Sequence, residues 1–253
     1  MLKYKKYLCL ALLIVFSFYA TNKTAIMVRN KDPLMSKIKS EAAKINTGYV
    51  NAVIENDYIT PGMYGKVVDE LNSLVKMKEN DAFNMLYLIT TEVKPDVSLD
   101  DNKDKIIKEG NYRKKAVAFI IDDNDSVRTF LKNKNIKASI LINKNSKLDS
   151  FFELINNDFN NYKETESLLK NAGYKSNVCL VTKNNYDICK KNKKYLIAPS
   201  IILENNIIEV KREVTSGSLI YIKSSTYLDI LINYLQSKGL KIVTVSELIS
   251  EKQ

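Results

Sequence analysis

Residues 116–121 form an unbroken apolar run that ends on two adjacent carboxylates, Asp122 and Asp123. A short run rich in Val, Ile and Phe and closed by an Asn/Asp turn predicts a strand covered on both faces. Val127, Phe130 and Leu131 follow at helical spacing behind two cap-type residues, Asp125 and Ser126, and residues 137–142 are apolar again. The unit reads strand, helix, strand. In sheets built this way ligands sit at the C-terminal strand ends, where the acid pair lies.

Beyond residue 143 the alternation loosens. The pattern predicts helices over 151–155 and 164–169, the second stopped at Gly173, a strand over 177–182, a helical turn or two over 186–191 and a strand over 195–198 halted by Pro199. Residues 201–210 fit either a strand pair or a loop. A strand over 219–222, a helix over 227–237 closed by Gly239 and a strand over 242–245 follow. Upstream, Met35, Ile38, Ala42 and Ile45 mark one helix face. Residues 49–54 and 84–91 are strand-like, 68–77 helical, Pro61 and Gly62 a type II turn candidate, and 96–108 a charged linker.

At the N-terminus Lys3, Lys5 and Lys6 precede a segment, residues 7–20, that is apolar apart from Ser17. This is a charged region followed by a hydrophobic one, which reads as a signal-anchor or transmembrane segment. The run is short for a span, but its flanks extend it toward ~20 residues. Phe18, at minus three before Ala20, makes a poor cleavage site, which favours an uncleaved anchor over secretion after signal cleavage. Lysines ahead of the segment place its start in the cytoplasm and everything after about residue 23 outside, in a single-pass arrangement. The expected organisation is residues 1–23 as anchor, 24–110 as a small α+β subdomain with its linker, and 111–253 as an α/β domain. The subdomain either packs on the α/β domain or serves as a docking module.

Residues 115–143 resemble the opening of a polysaccharide deacetylase (NodB homology) domain, where a strand ends in T-F-D-D-G, a helix follows, and the next strand opens with I-K-A-T-F-F. Residues 216–248 are similar to the closing segment of that family, a G-S-I-I-L-L-H strand, a helix ending in K-G-Y, and T-L-S-E-L. The resemblance implies a distorted (β/α) barrel, a divalent metal held by one Asp and two His, and hydrolysis of N-acetyl or O-acetyl groups on glycans. It places Asp122 at the general base and Asp123 at the metal-ligating Asp. The H-x-x-x-H motif falls on Asn157 and Asn161, the R-x-P motif on Ile197, Ala198 and Pro199, and the final histidine on Lys223. The whole chain contains no histidine. A catalytic zinc typically needs three protein ligands, and one matching carboxylate does not supply them. About six strands are expected, fewer than a full barrel holds, so the barrel is expected to be incomplete.

The net charge of +10 raises nucleic acid or an anionic surface as a partner. The positive residues are mostly Lys scattered singly among Asn, with no basic block interleaved with aromatics, which argues against nucleic acid. The partners left are the membrane, through the N-terminal segment, and a cell-wall or surface glycan. Cys179 and Cys189 either form a disulfide outside the membrane or stay as two buried thiols. The acid pair can cap the next helix as a relic, bind sugar hydroxyls, or hold a hard cation with neighbouring oxygens. The reading that follows is a membrane-anchored, envelope-facing deacetylase-like pseudoenzyme. It would need no cofactor and act in glycan binding or as a scaffold, with Lys223 as an internal counter-ion to Asp122 and Asp123. The alternative is an active metal-dependent deacetylase with a substituted site, in which Asp123 and Asn or Lys side chains hold a divalent metal. A third reading is a purely structural envelope protein whose N-terminal module binds another protein.

Overall fold

The structure, a computed structural model, describes residues 2–182 and 184–252. In chain order the elements are α1 (Leu2–Asn30), α2 (Pro33–Ile45), β1 (Val53–Glu55), β2 (Tyr58–Thr60), β3 (Gly65–Val68), α3 (Glu70–Glu79), β4 (Thr90–Val93), β5 (Ile106–Ile107) and β6 (Ala116–Asp122). They continue with α4 (Asp125–Asn133), β7 (Ser139–Ile142), β8 (Glu153–Asn156), α5 (Tyr162–Asn171), β9 (Val178–Leu180), α6 (Tyr186–Lys191), β10 (Tyr195–Ile197) and β11 (Ile201–Leu203). The last are α7 (Ile207–Glu213), β12 (Leu219–Ile222), α8 (Leu228–Ser237), β13 (Lys241–Val243) and α9 (Val245–Ile249).

The chain divides into two compact units, one of residues 1–48 and 65–93, the other of residues 49–64 and 94–253. The expected boundary near residue 110 is thus not where the contacts divide. In the first unit Asp32 caps α2, its carboxylate accepting from the Leu34 N–H at 2.9 Å, with Pro33 at the first helical position. Met35, Ile38 and Ala42 of α2 are buried with Leu74 and Met77 of α3. The β3–β4 pair is antiparallel. Within α1, residues Ala11–Asn30 are long and apolar enough to cross a membrane, and a signal sequence has the same character.

The second unit holds two sheets. In one, β11, β12, β6, β7 and β8 lie side by side and parallel, with β13 also parallel to β6. The other runs β1, β2, β5, β10, β9 and is parallel except for the β1–β2 hairpin. The sheets do not close on one another, so the barrel is open and distorted, as expected. Val117, Phe119 and Ile121 of β6 pack under α4 and α8, in a layer with Leu131, Leu231 and Leu235. Ala116, Ala118 and Ile120 face the apolar layer that also holds Ile107, Val178, Leu180 and Ile197 from the other sheet. Both Val117 and Phe119 are 0% exposed, which the unbroken run required.

Several elements differ from the sequence reading. Residues 151–155 were expected to be helical, yet they lead into β8, because pairing with β7 decides a run too short to show a period. The charged stretch 96–108 contains buried Leu99 and Ile107 and supplies β5 to the middle of a sheet. Gly62 does not have positive φ, so no type II turn is needed. It is required because a Cβ there would stand 2.3 Å from the Val50 carbonyl oxygen.

Candidate functional site

Because β11, β12, β6, β7 and β8 are parallel, their C-terminal ends form one rim. Asp122 and Asp123, Asn143, Asn157 and Lys223 all sit at that rim, immediately at or after their strand ends. Ala198 follows β10 in the other sheet, and Ile197 of the R-x-P position is a fully buried apolar residue there.

Each carboxylate of the acid pair is taken by a different side chain of the protein. Tyr221 pairs in register with Ile120, two residues before Asp122 on the same strand face. Its hydroxyl donates to Asp122 at 2.8 and 2.9 Å. Burial first, then the neighbouring Asp122 carboxylate, hold that hydroxyl well above the usual tyrosine range and keep it protonated. Asp123 receives the Arg128 Nε–H at 2.6 Å. Arg128 projects from α4, is 4% exposed, and lies 5.7 Å from the Phe152 ring centre. Its Nη1 and Nη2 are buried without a hydrogen-bond partner among the described residues. The helix between is capped by Asn124, whose side chain accepts from Ser126 and Val127 at 2.9 and 3.2 Å, rather than by Asp125 or Ser126.

Lys223 was expected to be the counter-ion to both acids. Its ammonium instead pairs with Glu204 at the end of β11, at 3.6 Å, with both side chains well exposed. Such a pair contributes little. The cation bonded to Asp123 is Arg128.

On the far side of the rim, Asn161 occupies the N-cap position of α5 and accepts from Lys144 Nζ at 3.1 Å. Between it and Asn157 stands Asp158, which accepts from the backbone of Lys144 and Asn161, each at 3.1 Å, and from Thr165 at 3.4 Å. The Lys144 N–H is the first cause holding its carboxyl below the usual range, and Asn161 adds to it. The sequence reading passed over Asp158; the signal was an Asp placed three residues before the N-cap of a helix. Beside this loop a cleft of about 400 Å³ is lined by Phe159, Asn160, Asn161, Tyr162, Lys191 and Asn192 among others. The Phe159 and Tyr162 rings stack with centroids 6.0 Å apart. Cys179 of β9 and Cys189 of α6 are joined in a disulfide, with Cα atoms 5.8 Å apart.

These residues do not fit a metal. Asp123 is engaged by a guanidinium, the two expected imidazole positions are amides, and the described residues hold no group of three or more His, Cys, Asp or Glu placed around one point. The Tyr221 hydroxyl spans both oxygens of Asp122.

The open parallel sheet, its helix-covered outer face and its rim of strand ends form a fold shared with solved structures described as CE4 family members. The chain is similar to a Bacillus anthracis protein, BA3943, described as a CE4 family pseudoenzyme, at 21% identity over 88% of this chain and 97% of that one, with a TM-score of 0.62. A mutant of BA3943 described as having restored enzymatic activity matches at 22% identity over 88% of this chain and all of that one, also at 0.62. At these identities the likeness establishes the fold. The uncharacterized protein YlxY of Bacillus subtilis is 32% identical over 100 residues, 39% of this chain and 31% of that protein's length. No family model matches the chain.

Proposed function

We propose that this chain is a catalytically degenerate member of the polysaccharide deacetylase family, anchored in the membrane through α1, that binds a cell-envelope glycan or serves as a scaffold there. One observation carries the reading: both rim carboxylates are bonded by the protein's own side chains, Asp122 by Tyr221 and Asp123 by Arg128. Asp122 is hydrogen-bonded through both of its oxygens, and Asp123 already carries a cation, which opposes a second one. The described pseudoenzyme of the same fold supports it, as does a chain without histidine.

For the glycan, the cleft beside Asn161 offers the required chemistry. Half-buried Phe159, stacked on buried Tyr162, offers an aromatic surface, and the amides of Asn160, Asn161 and Asn192 can donate and accept toward hydroxyls. Uncleaved retention of α1 would hold the second unit on the outer side of the membrane, which suits the disulfide.

The test uses the full chain in detergent. Acetylated chitooligosaccharides and peptidoglycan fragments should bind, as read by calorimetry, and release no acetate with Zn²⁺ or Co²⁺ present. Acetate release that depends on the metal and disappears in Asp123→Ala would overturn the degenerate reading. Absence of binding to either glycan would leave the scaffold reading in its place.

A further inference from the structure

We propose that Arg128 is the resident cation of this rim, a guanidinium that occupies Asp123 and thereby shuts out a metal ion. The inference rests on the degenerate reading above and explains what keeps the site closed beyond the lack of imidazoles.

Arg128 is held under conditions that disfavour a charge. It is 4% exposed, its Nε donates to Asp123, and its two terminal nitrogens reach no acceptor among the described residues. Leaving buried N–H groups of a cation undonated is costly, and an apolar side chain on this helix face would avoid the cost. The neighbours on that face, Val127 and Leu131, are apolar and buried. Asp123 and the Phe152 ring are what offset the penalty, and Asp149, ion-paired with Lys132 at 2.5 Å, carries the next negative charge.

The guanidinium brings a full positive charge to the carboxylate in a planar fork that suits it. A divalent ion on the remaining lone pairs of Asp123 would lie within about 5 Å of the guanidinium, close enough for the two charges to repel. On this geometry, supplying imidazoles at Asn157 and Asn161 is not enough to build a metal centre.

The experiment compares Co²⁺ binding, by calorimetry and by the visible absorption of the bound ion, in full-length variants in detergent. Asn157→His with Asn161→His should bind Co²⁺ poorly. Adding Arg128→Met should tighten binding at least tenfold, and adding Arg128→Lys instead should leave it poor, because the charge stays. If Arg128→Met does not fold, Arg128→Gln makes the same comparison. Equal affinity with and without Arg128 overturns this inference while leaving the degenerate reading intact, and so does a Lys variant that binds as tightly as the Met one. Folded variants that all fail to bind would show that Asp123 and the two Asn positions do not face one point, which overturns this inference and leaves the degenerate reading standing.

Discussion

Glu251 is a carboxylate only 6% exposed, and its two oxygens receive the backbone N–H groups of Gly62 at 2.8 Å and Leu99 at 2.9 Å. It therefore ties residues 49–64 and 94–110 to the end of the sheet domain. Replacing it with Ala leaves two buried N–H groups without an acceptor. Hydrogen bonds to a charged group contribute about 1.5 to 3 kcal/mol each, so their loss is worth roughly 3 to 6 kcal/mol. Against that, the variant no longer buries a charge. That cost is visible in the glutamate itself, whose carboxyl is pushed above its ordinary value, burial being the largest cause, despite the two N–H donors. The net expectation for Glu251→Ala is a loss of about 2 to 4 kcal/mol, or on the order of 5 to 15 °C in Tm for a domain of this size. Urea unfolding followed by circular dichroism measures it. A folded-state pKa raised by burial stabilises most below the unfolded value near 4.3, and that contribution is lost as pH rises through the folded value. The stability advantage of wild type over the non-titrating Glu251→Gln should therefore shrink as pH is raised from about 4 to 7. A Glu251→Ala variant within 0.5 kcal/mol of wild type, or an advantage that grows with pH in that window, would refute the reasoning.

Three further outcomes follow from the same structure. Reducing the Cys179–Cys189 bridge, which closes a loop over a separation of 10 residues, should cost about 2 to 3 kcal/mol by chain entropy, read as a lower urea midpoint with reductant and as two added thiols by thiol titration. Phe119→Ala should destabilise the second unit by about 3 to 5 kcal/mol, since the ring is fully buried under α4 and α8, and an unchanged midpoint would contradict that packing. Tyr221→Phe removes the hydroxyl from Asp122 at a half-exposed rim and should cost about 1 kcal/mol, with binding of Co²⁺ unchanged because Asp123 is still held by Arg128.

The strand at 116–122 was legible because burial on both faces leaves an unbroken apolar signature, and α8 because Gly239 closes it at φ +70. What escaped the sequence reading depended on partners distant in the chain. Strand β5 is two residues of an otherwise polar stretch, and only its pairing with β2 and β10 makes it a strand. Glu153 is a polar residue in β8 because Ser139 and Ser246, from the neighbouring strand and from α9, bond its carboxylate. No local window contains those partners.

The acid pair shows the same division within two residues. Once β6 and β12 are taken as parallel neighbours, the Tyr221 to Ile120 register puts a tyrosine on the face of Asp122, so that partner could have been derived from the strand pattern. The choice of Lys223 failed for a related reason: one strand further on, Leu203 lies opposite Ile222, which sets Glu204 beside Lys223 and gives the lysine a nearer acid. Arg128 left a fainter trace. Val127, Arg128 and Leu131 are the buried residues of α4, a charge set into the apolar face of an otherwise regular amphipathic helix. A cation at such a position is stable only beside an anion, and the fold supplies it from the carboxylate just before the cap, Asp123, rather than from Asp125, which is nearer in the chain. The two rim acids are thus held in different ways, one by a cross-strand hydroxyl and the other by a helical guanidinium. Removing either one would leave the other acid still occupied.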